Sequence, residues 1–218
     1  MTTPTETFSA MVAAVQEIVS AAFAETREPE LARFRERLER LLRSQTAVVP
    51  LAHPRRLPVC EYFVEALQAA TGEAGEIAAS LRLLEPLLSF VQNPNYRRAP
   101  PSPSFLVNYG YAVLAGPGDG APALVHNPDL AFGVLLLGPH TEYPAHRHPA
   151  AELYIPLSRA EWAKASGPLA EPEFVSREPG CVIHHPPNVV HATRTRETPL
   201  AALYLWAGDL ATYARLAD

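Results

Sequence analysis

Two rhythms run along this chain. Over the first ninety or so residues apolar side chains return every three or four positions. Phe8, Met11, Val12, Val15, Ile18 and Val19 set the pattern, which lines one face of an α-helix. Pro29 suits a first helical turn, and Leu31, Phe34, Leu38, Leu41 and Leu42 follow on one stripe. A third stripe, Val59, Tyr62, Phe63, Ala66 and Leu67, stops near Gly72, and a fourth, Ile77, Leu81, Leu84 and Leu88, bends at Pro86. The pattern predicts three to five helices forming a small bundle over residues 1–92, with the stripes as packing surface. In "ELARFRERLERLLR" arginine alternates with glutamate at helical spacing, which marks a solvated face rather than a binding patch.

The second rhythm begins after "NPNYRRAPPSPS". Its prolines predict an extended linker over 93–104. In "FLVNYGYAVL" the period falls to two, with Phe105, Val107, Tyr109, Tyr111 and Val113 on one side of a strand. "FGVLLL", "ELYIPL", "CVIHH" and "LAALYLW" are further short strand-forming runs separated by Gly and Pro. Many short strands without intervening helices predict a sandwich or small barrel over 105–218. The fold class is therefore mainly β with a helical N-terminal part.

Composition narrows the function classes. A net charge of −5 gives no basic excess for a nucleic-acid partner. Cys60 and Cys181 are too few for a disulfide framework or a multi-cysteine zinc site. They read as small buried hydrophobes, in keeping with a reducing compartment. "MTTPTETFSAMVAAVQ" lacks a basic segment ahead of a continuous apolar run, and no apolar stretch is expected to reach membrane-spanning length. The expectation is a cytoplasmic protein with a small-molecule partner. An exposed sheet edge would let two copies pair as a homodimer.

The chemistry gathers in "HTEYPAHRHPAAELY", residues 140–154. His146 and His148 stand two apart, so on a strand both point to one side, and Glu152 and Tyr154 repeat that spacing. A bend near Pro149 lets both pairs face one interior. Imidazole with carboxylate suits a divalent transition metal such as Fe, Zn, Mn, Co or Ni, in an open catalytic site. A further ligand should come from "PGCVIHHPPNVVHATRT". His191 follows a "PPN" turn and opens a short strand. Of the adjacent His184 and His185 at most one can look inward, and neither is the first choice. His140 and Glu142 flank the motif as candidate supporting groups, while His53 and His126 read as surface residues.

These residues resemble the cupin superfamily. "HRHPAAE" is similar to its first motif, H-x-H-x(3,4)-E, and "GCVIHHPPNVVH" to its second, G-x(5)-P-x-G-x(2)-H. Asn188 stands where the family usually has glycine, a mild change because Asn tolerates a left-handed turn. Arg159 stands where the first motif usually ends in glycine, so the following turn must differ. The resemblance implies a double-stranded β-helix barrel binding one metal through His146, His148, Glu152 and His191. More narrowly, "GPHTEYPAHRHPAAELYIPLS" and "HATRTRETPLAALYLWAGDL" resemble the cupin-type dimethylsulfoniopropionate (DMSP) lyases, over roughly residues 105–210. That family splits DMSP into dimethyl sulfide and acrylate. The resemblance implies Tyr154 as catalytic base and Tyr143 as a second tyrosine of the site. Aromatic faces bind methylated cations, and Tyr109, Tyr111, Tyr204 and Trp206 are the candidates for the sulfonium end. The same ligand set also serves cupin dioxygenases, isomerases and non-catalytic binding cupins.

Overall fold

The computed structural model describes residues 2–118, 120–165 and 173–217. Among these described residues five α-helices occupy the N-terminal part: α1 (Pro4–Thr26), α2 (Pro29–Ser44), α3 (Phe63–Ala66), α4 (Gly72–Leu84) and α5 (Pro94–Arg98). Thr3 caps α1, accepting from the Glu6 N–H while Glu6 accepts from the Thr3 N–H. By length and composition α1 could cross a membrane, contrary to the sequence expectation. Here its Phe8, Met11, Val12, Val15 and Val19 are buried against the protein. On α2, Leu31, Phe34, Leu38 and Leu41 face inward, and Arg33–Glu30 and Arg43–Glu39 pair on the outer side, as the charge pattern requires. The third stripe yields only a 3₁₀ turn and the short α3, and α4 passes into a 3₁₀ turn at Pro86.

Twelve strands follow or interleave: β1 (Phe90–Val91), β2 (Tyr109–Gly116), β3 (Ala123–His126), β4 (Ala131–Leu137), β5 (Glu142–Arg147), β6 (Ala151–Pro156), β7 (Ala160–Lys164), β8 (Val175–Arg177), β9 (Ile183–His185), β10 (His191–Arg194), β11 (Leu200–Ala207) and β12 (Arg215–Leu216). One sheet runs β1-β2-β4-β11-β6-β9, with β3 added parallel on β2, and the other runs β12-β5-β10-β7-β8. The remaining pairings are antiparallel, and the two sheets face one another around a shared barrel interior.

The larger sheet is covered on both faces, which explains its nearly unbroken apolar runs. Along β4, Phe132, Val134 and Leu136 join the cluster shared with the helices, while Leu135 and Leu137 turn into the barrel. Along β11, Leu203 and Leu205 point to the helices and Tyr204 and Trp206 point inward. Phe8 of α1 meets Phe132 of β4 with ring centroids 6.2 Å apart, so one apolar cluster spans helices and sheet.

Two local expectations need correction. The proline-rich stretch is not extended throughout: Pro94 supplies the first turn of α5, capped by Asn93, whose side chain accepts from the Asn95 N–H. The strand read as starting at Phe105 starts at Tyr109. Ahead of it, the N–H groups of Phe105 and Val107 donate to the carbonyls of Ser102 and Ser104, which coils the chain and leaves Val107 exposed.

Candidate metal centre

Three strands and one turn assemble the centre. β10 lies against β5 with His191 directly opposite His146, so the two rings meet at 4.1 Å between centroids. His148 follows just after β5, and Glu152 enters from β6 in the other sheet. All four side chains are buried. Asn188 takes the left-handed conformation expected of it (φ 61°), and its N–H donates to the His148 carbonyl at 2.8 Å. The turn that delivers His191 is thus tied to the turn that delivers His148. Arg159 is not in the left-handed region, and its guanidinium lies outside the barrel near Ser176 and Glu178.

The tautomers follow from the surroundings. Nδ1 of His146 lies 2.8 Å from the Pro144 carbonyl, Nδ1 of His148 lies 3.1 Å from that of Ala150, and Nδ1 of His191 lies 3.0 Å from that of Val189. Carbonyl oxygens only accept, so each Nδ1 carries the proton and each Nε2 presents a lone pair. The three imidazoles each offer an atom within 4.8 Å of the others. Oε2 of Glu152 lies 3.0 Å from Nε2 of His148 and 3.2 Å from Nε2 of His191. Converging lone pairs and a carboxylate in a buried pocket repel one another without a cation or protons between them. Burial, then the neighbouring His191, hold the His146 imidazole well below its usual range, which disfavours the proton. Burial alone would push the Glu152 carboxyl up, but His148 and His191 outweigh it and hold it well below the usual range. The donor set therefore fits a metal ion. Among the described residues this histidine triad is the only such group of three or more.

Aromatic rings fix the ligands from outside. Tyr143 stacks on His146 at 3.9 Å and 3° between planes, and Trp206 stacks on His148 at 4.1 Å. The Trp206 indole N–H donates to Oε1 of Glu152 at 2.5 Å. Trp206 thus holds two of the cage residues, a role its strand spacing did not disclose.

Beside the cage lies a cavity of about 200 Å³. Tyr109, Tyr111, Tyr143, Tyr154, Tyr204 and Trp206, the six aromatics singled out from the sequence, all line it, and Glu152 forms part of its wall. Tyr111 and Tyr204 meet edge to face at 6.1 Å, beside Trp206 at 6.5 Å from Tyr204. Tyr204 fits because position 133 is glycine: a Cβ there would lie 2.4 Å from the Tyr204 hydroxyl. Burial, then the Glu152 carboxylate, push the Tyr154 phenol well above its usual range. Burial, then Tyr96, do the same to Tyr143, whose hydroxyl donates to that of Tyr96 at 3.2 Å.

Sequence reasoning missed Tyr96, hidden in the proline-rich stretch, and Tyr213, beyond the last long strand; Tyr213 also lines the cavity. It also set His185 aside, yet this ring is buried and stacks on His191. His140, Glu142, His53 and His126 are exposed, so the first two do not support the cage. Cys60 and Cys181 are free thiols, the first buried and the second half-buried.

Comparison with known proteins agrees with this geometry. The sequence profile of the dimethylsulfoniopropionate lyases matches residues 30–202. The dimethylsulfoniopropionate lyase DddQ of Ruegeria pomeroyi is 38% identical over 96 residues, a stretch covering 44% of this chain and 44% of that protein. That alignment reaches less than half the length of the curated relative. The crystal structure of DddQ from Ruegeria pomeroyi superposes with a TM-score of 0.67 at 27% identity, covering 95% of this chain and 96% of that one. A structure from work on the DMSP lyases RdDddP and RnDddQII gives a TM-score of 0.71 over 99% of this chain and 100% of its own, and at 22% identity it speaks for the fold alone. With the family profile running from α2 through both metal motifs into β11, the chain belongs to the dimethylsulfoniopropionate lyase family.

Proposed function

We propose that this protein cleaves DMSP to dimethyl sulfide and acrylate by base-catalysed β-elimination. One observation carries the reading: three buried Nε2 lone pairs and the Glu152 carboxylate converge beside a cavity walled by tyrosines and Trp206. The ligands are His146, His148, His191 and Glu152, which leave about one net positive charge around a divalent ion. When bound, that ion would take the substrate carboxylate, spread the charge developing beside it, and offset the Glu152 charge that, after burial, keeps the Tyr154 phenol high.

Tyr154 is the base. It is buried on the inner face of β6, two residues after Glu152, and lines the cavity. As the phenolate it takes the proton from the carbon next to the carboxylate and becomes a neutral phenol, and the electron pair closes the double bond as the sulfide leaves from the next carbon with the C–S bonding pair. Tyr143 keeps His146 in place by stacking and commits its hydroxyl hydrogen bond to Tyr96, so its part is orientation. The faces of Tyr111, Tyr204 and Trp206, backed by Tyr109, receive the methylated sulfonium through cation–π attraction. The tyrosine-lined cavity and the family membership together weigh against the dioxygenase, isomerase and non-catalytic readings.

The test is dimethyl sulfide in the headspace over purified protein given DMSP and each of iron, zinc, manganese, cobalt and nickel. No release with any of them rejects the reading. Tyr154→Phe is expected to keep its metal and lose roughly 10²–10⁴-fold in turnover. A variant with near-parental rate would move the base elsewhere.

A further inference from the structure

His185 lies outside both cupin ligand sets, yet it is 1% exposed and in contact with the cage. The register of β9 on β6 sets His185 opposite Glu152, which turns its side chain into the barrel. There its ring lies flat on that of His191, with centroids 4.0 Å apart and planes 14° from parallel. Its edge meets Tyr154 at 5.9 Å. Neither ring nitrogen has a hydrogen-bond partner among the described residues. A buried imidazole with both nitrogens unpaired is costly, so what the ring does for its neighbours it does through its face.

Behind His185 a second cavity of about 520 Å³ opens where the sheets part, between the edge strand β9, strands β7 and β8, and the α1–α2 turn. Lys164, Arg177, His184 and Glu28 line it, so it is polar. His185 lines this cavity but not the tyrosine-walled one, and none of the four ligands lines it. The ring therefore stands between the second cavity and the back of His191. Among the described residues His191 itself is held by one hydrogen bond, Nδ1 to the Val189 carbonyl, which fixes a direction and leaves the tilt of the ring to its packing between His146 and His185.

We propose that His185 is a positioning residue for the metal centre: its face sets the tilt of His191 and closes the cage against the lateral cavity. The inference rests on the metal reading of the cage and not on the identity of the substrate. It is tested on the full chain loaded with cobalt(II), by chelator competition for affinity and by the visible absorption of the bound ion. His185→Ala is expected to bind cobalt about 10–100-fold more weakly, the usual range for a lost outer partner of a ligand, with an altered spectrum. His185→Phe, which keeps a flat ring, is expected to restore both readouts. His185→Gln, of similar reach without a ring, should behave as the Ala variant and serves if that one does not fold. Parental affinity and spectrum in the Ala and Gln variants overturn the proposal, leaving the lyase reading untouched. A Phe variant as weak as Ala overturns it too, because the nitrogens rather than the face would then matter. A parent chain that takes up no cobalt defeats the metal centre itself, and this proposal with it.

Discussion

The two faces of the larger sheet enclose interiors of opposite character. Outside, Phe132, Val134, Leu136, Leu203 and Leu205 pack on the helices in a cluster of aliphatic and phenyl groups that is complete in itself. Inside, the same sheet carries Tyr154, Tyr204, Trp206 and Glu152 toward three imidazoles, and the His185 ring nitrogens find no partner among the described residues. The outer interior is stabilised by the chain's own apolar surface leaving water. The inner one is built of groups that a bound cation would stabilise. Stability and chemistry are thus written on alternate residues of the same strands.

The contrast can be broken most severely at the cage. His191→Ala should abolish stoichiometric metal and lower dimethyl sulfide release by at least ~10³-fold, because one of four ligands goes. Its metal-free melting temperature should stay within about 4 °C of the parent, because relief of lone-pair repulsion offsets the lost Val189 hydrogen bond and ring packing. Elemental analysis and a thermal scan check both halves of the statement. On the outer side, Phe34→Ala removes a ring that is 1% exposed on α2. It should cost about 3–5 kcal/mol in urea unfolding while leaving metal per folded chain unchanged. Loss of metal from the folded Phe34 variant would mean that the two interiors are not separable.

Smaller changes sharpen the boundary. Trp206→Phe keeps a ring on His148 but removes the indole N–H from Glu152. Metal affinity should fall about 10–100-fold in chelator competition, with stability nearly unchanged. Asn188→Ala places a Cβ-bearing, non-Asn residue at φ 61°. It should cost about 1–2 kcal/mol in thermal unfolding, and Asn188→Gly should cost less.

How much of this was legible in the sequence depended on distance along the chain. His146, His148 and Glu152 declare themselves because strand alternation and one bend act within seven residues. Asn188 was legible for the same local reason. The inward set of β11, Tyr204 and Trp206, was visible as a face, but its contacts with His148 and Glu152 depend on sheet pairing that periodicity does not encode. Tyr96 escaped because prolines mask a one-turn helix that is tied down by remote contacts, the Asn93 and Asn95 amides on the Ala214 carbonyl. His185 escaped because an adjacent histidine pair says that one ring points inward without saying which. The edge pairing of β9 with β6 decides it.

The backbone link from Asn188 to the His148 carbonyl also bears on how such a site can diversify. The two motifs grip one another directly, so their mutual placement is set by that contact and by strand pairing rather than by the length of chain between them. Descendants could vary that length while the two motifs stay in contact.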